Sequence, residues 1–184
     1  PIVAALELKE KYQLQSTDIK SVEVVSFHEC TRLATNEPRT TEEAQYSTSF
    51  PTAVALVRGT ISPSDISDAC LQDPEIKRLS RSMTMVEDDK ANAAFPETRL
   101  GGVTLSLQDG TTLKSELVSP IWDADTPPTE TDLRNKFHAL ADPLLGETRA
   151  TAIEAALANV ATKGLKPLVK LITQPISEAT TLPS

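Results

Sequence analysis

A chain of 184 residues holds one good-sized domain, or a domain with an appended helical piece, and buries a core without staples. Hydrophobic residues make up 39% and charged residues 24%, an ordinary globular balance, while an aromatic share of 4% points to an aliphatic, Ala-rich core. A formal net charge of −8 argues against nonspecific nucleic-acid binding and against docking on anionic membranes, yet leaves room for a local site for a small anionic acid.

No apolar run approaches the roughly 20 residues that span a bilayer, and no signal peptide is visible. Cys30 and Cys70 lack metal-ligand spacing. They read as reduced thiols of an intracellular protein, cytoplasmic or, in a eukaryote, mitochondrial, with a disulfide as the alternative. The opening Pro1-Ile-Val-Ala-Ala has the look of a helix, and the expectation is a numbering that begins inside a longer gene product.

Pro1 to Tyr12 predicts a helix with Ile2, Leu6 and Ala5 inward and Glu7, Lys9, Glu10 and Lys11 outward. Ser16 to Asp18 is a turn, and Ile19 to Phe27 a strand with Val22 and Val24 on one face. His28 to Asn36 is ambiguous, and Pro38 marks a loop. Thr40 followed by Glu43 is a capping-box pattern for a helix that runs to Gly59, kinked or starting late at Pro51. Ser62-Pro63 opens a helix to about Leu71, and Asp73-Pro74 a third to Leu79. Met83 to Val86 reads as a strand, and Asp88 to Ala94 as a short helix or turn.

Val103, Leu105 and Leu107 alternate with Thr104 and Ser106. The Asp109-Gly110 turn returns the chain along Leu113 and Leu117. Trp122 to Pro128 is loop. Thr129 caps a helix carrying Leu133, Phe137 and Leu140, which Asp142-Pro143 is expected to break. Glu147 to Thr162 and Leu168 to Ile172 are further helices, and Thr173 to Ser184 reads as weakly structured. The class is α+β: an antiparallel or mixed sheet with short helices over 1–125, then a helical segment over 126–184.

Chemistry is sparse. His28 and His138 read as structural or surface histidines, and no Ser-His-Asp or Cys-His set can be assembled. Glu87-Asp88-Asp89 reads as a solvated turn rather than a metal site, and Gly101-Gly102 lacks the spacing of a phosphate loop. No metal and no cofactor is expected. Tyr46, Ser47, Ser49 and Phe50 are the candidate substrate-binding group, with Tyr46 and Ser47 as catalytic candidates. A late-starting helix would leave their polar side chains and free N–H groups facing an anion. The bland alternative packs Tyr46 and Phe50, four apart, on one helix face.

The stretch Glu43-Ala-Gln-Tyr46-Ser47-Thr-Ser-Phe50-Pro51-Thr-Ala-Val-Ala resembles the Phe-Ser-Leu-Pro-Tyr-Ala-Val-Ala-type signature of the MmgE/PrpD family. That family includes 2-methylcitrate dehydratase, cis-aconitate decarboxylase and iminodisuccinate epimerase. The order continues through Ile61-Ser-Pro-Ser-Asp-Ile66, Met85-Val-Glu-Asp-Asp89, Ala94-Phe-Pro96-Glu-Thr-Arg99, the Leu105 to Gly110 hairpin and the helix from Thr129 to Phe137, covering roughly Pro1 to Val160. The resemblance implies the C-terminal portion of a cofactor-independent lyase or isomerase acting on small di- or tricarboxylic acids. It implies an α+β lid over 1–125 and a returning strip of a large helical domain from 126. It also implies a homodimer for the full protein, and partners in the missing N-terminal helical part or a second chain. Phe50 stands where the decarboxylase branch has an active-site tyrosine, and the family's Lys, His and Asp residues belong to segments before Pro1. The isolated chain is therefore expected to lack turnover. The alternatives are a non-catalytic α+β interaction module and a degenerate family member.

Overall fold

The computed structural model describes residues 1–176. The chain divides into two compact units, one over Pro1–Asp123 and one beginning at Ala124.

Among the described residues the first unit is built on a four-stranded sheet of order β2-β1-β3-β4. Its strands are β1 (Ile19–Ser26), β2 (Met83–Glu87), β3 (Gly101–Leu107) and β4 (Thr112–Lys114). β1 pairs parallel with β2 and antiparallel with β3, so the sheet is mixed and the class is α+β. The parallel pair needs a long crossover, and the helices between Ser26 and Met83 supply it. Alternation sets the register. Val22 and Val24 are buried opposite Leu105 and Val103, while Lys20 and Glu23 face out.

The Asp109-Gly110 turn closes the β3–β4 hairpin as expected, with Gly110 at φ +90 and the Asp109 carboxylate accepting Thr111 N–H at 2.8 Å. The returning strand is shorter than the alternation of Leu113 and Leu117 suggests. After Lys114 the Ser115 N–H still donates to Val103 O at 2.9 Å, but Val103 N–H goes to the Ser115 hydroxyl, a side chain standing in for half the ladder, and a further backbone bridge forms at Val118 opposite Gly101.

Helix α1 (Ile2–Lys11) buries Ala4, Ala5 and Leu8; Ile2 and Leu6 are only half-buried, so the inward face is rotated from the expected one. The ambiguous stretch after β1 contains one helical turn, α2 (His28–Thr31). The helix expected over Thr40 to Gly59 is two: α3 (Thr41–Gln45) and α4 (Ser49–Arg58). Pro51 explains the break. It has no N–H to reach Ser47 O, so the ladder fails there and the chain turns at Tyr46-Ser47-Thr48. Thr48 N–H goes instead to Leu33 O at 2.6 Å. α4 is apolar on nearly every side and lies in the core, with Phe50, Ala53, Val54 and Leu56 buried, and Gly59 ends it at φ +76.

The helix expected from Ser62 to Leu71 is also interrupted. A 3-10 turn over Pro63–Asp65 precedes α5 (Asp68–Leu71), which has its own cap in Ser67. α6 (Pro74–Arg81) is capped by Asp73, and α7 (Asp89–Ala94) by Asp88. Arg78 of α6 donates to Ile19 O and Ser16 O, both at 2.9 Å, and binds Glu75 through two nitrogens. This stitches the helix to the start of β1.

The second unit consists of α8 (Glu130–Leu145), α9 (Glu147–Ala158), α10 (Val160–Lys163) and α11 (Lys166–Ile172). Thr129 and Asp132 form a full capping box. Pro143 does not end α8. It forfeits one ladder bond close to the helix end, and Gly146 N–H still reaches Asp142 O at 2.9 Å. The helix expected from Glu147 to Thr162 pauses at Asn159. The expectation for the tail lies mostly outside the described residues; Thr173 to Ile176 carry no helix or strand.

Candidate functional site

The break between α3 and α4 brings polar side chains to the wall of a cleft of about 450 Å³. Cys30, Gln45, Ser47 and Thr48 provide its polar atoms, and Ile2, Ala44, Pro51, Ile61 and Ile66 its apolar surface. Local chemistry places each group. Ser47 is the effective cap of α4, its hydroxyl accepting Phe50 N–H at 3.0 Å and donating to Thr35 O at 2.8 Å. Thr48 Oγ1 donates to Cys30 O at 3.2 Å and lies 3.6 Å from Cys30 Sγ, tying α2 to the start of α4.

The four expected site residues do not share one surface. Tyr46 is 68% exposed at the end of α3, and Ser47 borders the cleft. Ser49 and Phe50 are buried, Phe50 at 1% exposure. Tyr46 and Phe50 therefore do not form a packed pair. The end of α4 also has little left for an anion: Phe50 N–H is taken by Ser47, Thr48 N–H by Leu33, and Pro51 has none. No Asp, Glu, Lys, Arg or His side chain is among the described residues lining the cleft. Ser49 Oγ is buried without a hydrogen-bond partner. Thr48 and Cys30 were not singled out from the sequence as site residues. Thr48 is visible there as the residue between two candidates, whereas the approach of Cys30 depends on the turn after β1.

Neither histidine is among the described residues lining this cleft. His28 Nδ1 lies 2.8 Å from Glu87 Oε1, and its N–H donates to Asn92 Oδ1 at 2.7 Å, joining β2 and α7 to the turn after β1. The bond to His28 holds the Glu87 carboxyl below its usual value. His138, in the second unit, stands between Asp142 and Glu154. The sequence shows Asp142 four residues on from His138, but Glu154 arrives only through the α8–α9 packing. Among the described residues no group of three or more His, Cys, Asp or Glu is placed to hold a metal ion. No described helix is long and apolar enough to cross a membrane. Cys30 and Cys70 are free thiols.

A second, more apolar groove of about 320 Å³ runs along α8 and α9 within the helical unit, floored by Leu133, Phe137, Ile153 and Leu157 and rimmed by Glu130, Arg134 and Glu154. A comparison with curated proteins returned no match. The model of the MmgE/PrpD C-terminal domain matches residues 1–162, most of the chain and all of the polar cleft. The chain belongs to the MmgE/PrpD family and carries its C-terminal domain.

Proposed function

We propose that the chain is the C-terminal portion of a cofactor-independent lyase or isomerase acting on small di- or tricarboxylic acids. The observation that carries this reading is the family match across residues 1–162, spanning the polar break beside an open cleft. In this reading residues 1–125 form a lid and cleft wall that excludes water on closure. The proton taken from or given to a carbon beside a carboxylate is handled by groups outside the chain, since no His, Lys, Asp or Glu is among the described residues lining the cleft. Tyr46 is the exposed phenol able to bond a carboxylate. Ser47, with Ser49 and Phe50 behind it, sets where the wall stands. The apolar α8–α9 groove receives helices of the N-terminal part, and the full protein is a homodimer.

The test assays dehydration, decarboxylation and epimerisation of a panel of small polycarboxylates by NMR, for the full-length protein and for this chain alone. Turnover is expected from the full-length protein and not from the chain. In the active protein Tyr46→Phe is expected to lower kcat/KM about tenfold with unchanged stability. Substantial turnover by the chain alone would overturn the reading.

A second reading, a non-catalytic α+β interaction module or a degenerate family member, is favoured by the lack of Asp, Glu, Lys, Arg or His among the described residues lining the cleft and by Phe50 in place of the family tyrosine. Full-length protein inert on the whole panel, yet folded, selects it.

A further inference from the structure

His138 belongs to α8 and is 27% exposed. Its Nδ1 lies 2.9 Å from Asp142 Oδ1 on the same helix, and its Nε2 lies 3.1 Å from Glu154 Oε2 on α9. Among the described residues Arg134 and Glu130, both from α8, join this cluster. Arg134 binds the other oxygen of Glu154 and also Glu130, at 2.7 Å.

Two carboxylates at one ring ask for two donors. A neutral imidazole has a single N–H, and its other nitrogen carries a lone pair; only the imidazolium donates at both ends. With one N–H the ring can satisfy Asp142 or Glu154, not both. Glu154 keeps Arg134 as a partner, whereas among the described hydrogen bonds the Asp142 carboxylate is met by the ring. The proton therefore stays on Nδ1, and the bond lost is the one that crosses from α8 to α9. A lone pair then faces a carboxylate oxygen across about 3 Å, which is repulsive.

We propose that the α8–α9 hairpin is proton-sensitive, held most tightly when His138 is an imidazolium bridging Asp142 and Glu154. The proton favours the closed hairpin. Its contribution is present while the ring carries both protons and is lost when one leaves. Glu154 and Arg134 also rim the apolar groove, so the state of the bridge sets the edge of that surface.

Hydrogen exchange followed by mass spectrometry on the intact protein tests this, with rates corrected for the intrinsic effect of pH. Protection in α8 and α9 is expected to be about threefold to tenfold higher near pH 5.5 than near pH 8. Protection in β1 and β3 is expected to be unchanged. His138→Gln should abolish the difference. Glu154→Gln should shrink it, because an amide can donate to the unprotonated nitrogen, and this variant retains the test if the histidine variant does not fold. Equal protection at the two pH values in the wild type, or an undiminished difference in both variants, would overturn the proposal.

Discussion

The Phe50 ring is almost wholly buried in the core around α4. A hydroxyl added there meets apolar neighbours, and an unpaired buried hydroxyl costs about 1–3 kcal/mol. Phe50→Tyr is therefore expected to lower unfolding stability by that amount, read from the urea midpoint at constant slope. A variant as stable as the wild type would mean that the new hydroxyl finds a partner. Ser47, three residues earlier, gives its one O–H to Thr35 O and accepts Phe50 N–H, so its donor is spent on the fold. Ser47→Ala removes both and leaves Phe50 N–H and Thr35 O without that partner. The expected loss is about 1–2 kcal/mol. A catalytic hydroxyl could be removed at little cost in stability, so the same measurement separates the two roles of Ser47.

Among the elements, α6 is the one most firmly tied to the sheet by a polar link. Arg78 reaches two carbonyls at the entrance to β1 while holding Glu75, and that bond keeps the Glu75 carboxyl below its ordinary 4.5. A depressed carboxyl contributes stability that is present above its unfolded value and is lost as pH falls through the folded one. The first unit should thus lose stability below about pH 4.5, and Glu75→Gln should flatten that part of the profile. A profile unchanged by the substitution would show that other carboxylates carry the acid response. Arg78 also shows what the sequence hides. Its helix is legible from Asp73-Pro74 and the spacing of Ile76 and Leu79, but its partners at Ser16 and Ile19 are about sixty positions away. The strands were legible from alternation, and the caps at Thr40, Asp73 and Thr129 from residue type. The split of α3 from α4 was half legible. Pro51 announced a disturbance, but the turn was fixed four residues before it, where the missing bond would have ended, and by Leu33 from a distant loop. The packed Tyr46–Phe50 pair failed at the same point, because it depended on one continuous helix that put both rings on a shared face. The persistence of α8 through Pro143 was not legible either, since one lost bond near a helix end is cheaper than a mid-helix break.

At the scale of the whole chain the two units differ in how much they bury by themselves. The first holds a continuous aliphatic core from Ala4 through Leu107, sealed by α1, α4 and α6 around the sheet. In the second, Ala141, Ala150 and Ile153 are the described buried apolar residues, while Leu133, Leu140, Leu157, Leu165, Val169 and Ile172 remain exposed. Each large apolar side chain buried on folding contributes about 1.5–3 kcal/mol, whereas every ordered backbone residue costs about 1–2 kcal/mol. A helical unit with so few buried groups cannot offset that cost alone. Its Arg149 clasp, donating to the carbonyls of Leu171, Gln174 and Pro175, adds only net hydrogen-bond increments. Residues 1–123 expressed alone are therefore expected to unfold in one cooperative step. Residues 124–184 alone should show helical circular dichroism without a cooperative transition, and should bind a hydrophobic dye. A sharp thermal transition with no dye binding in the second fragment would mean that its apolar faces close on one another, and would remove the need for a covering helix from elsewhere in the protein.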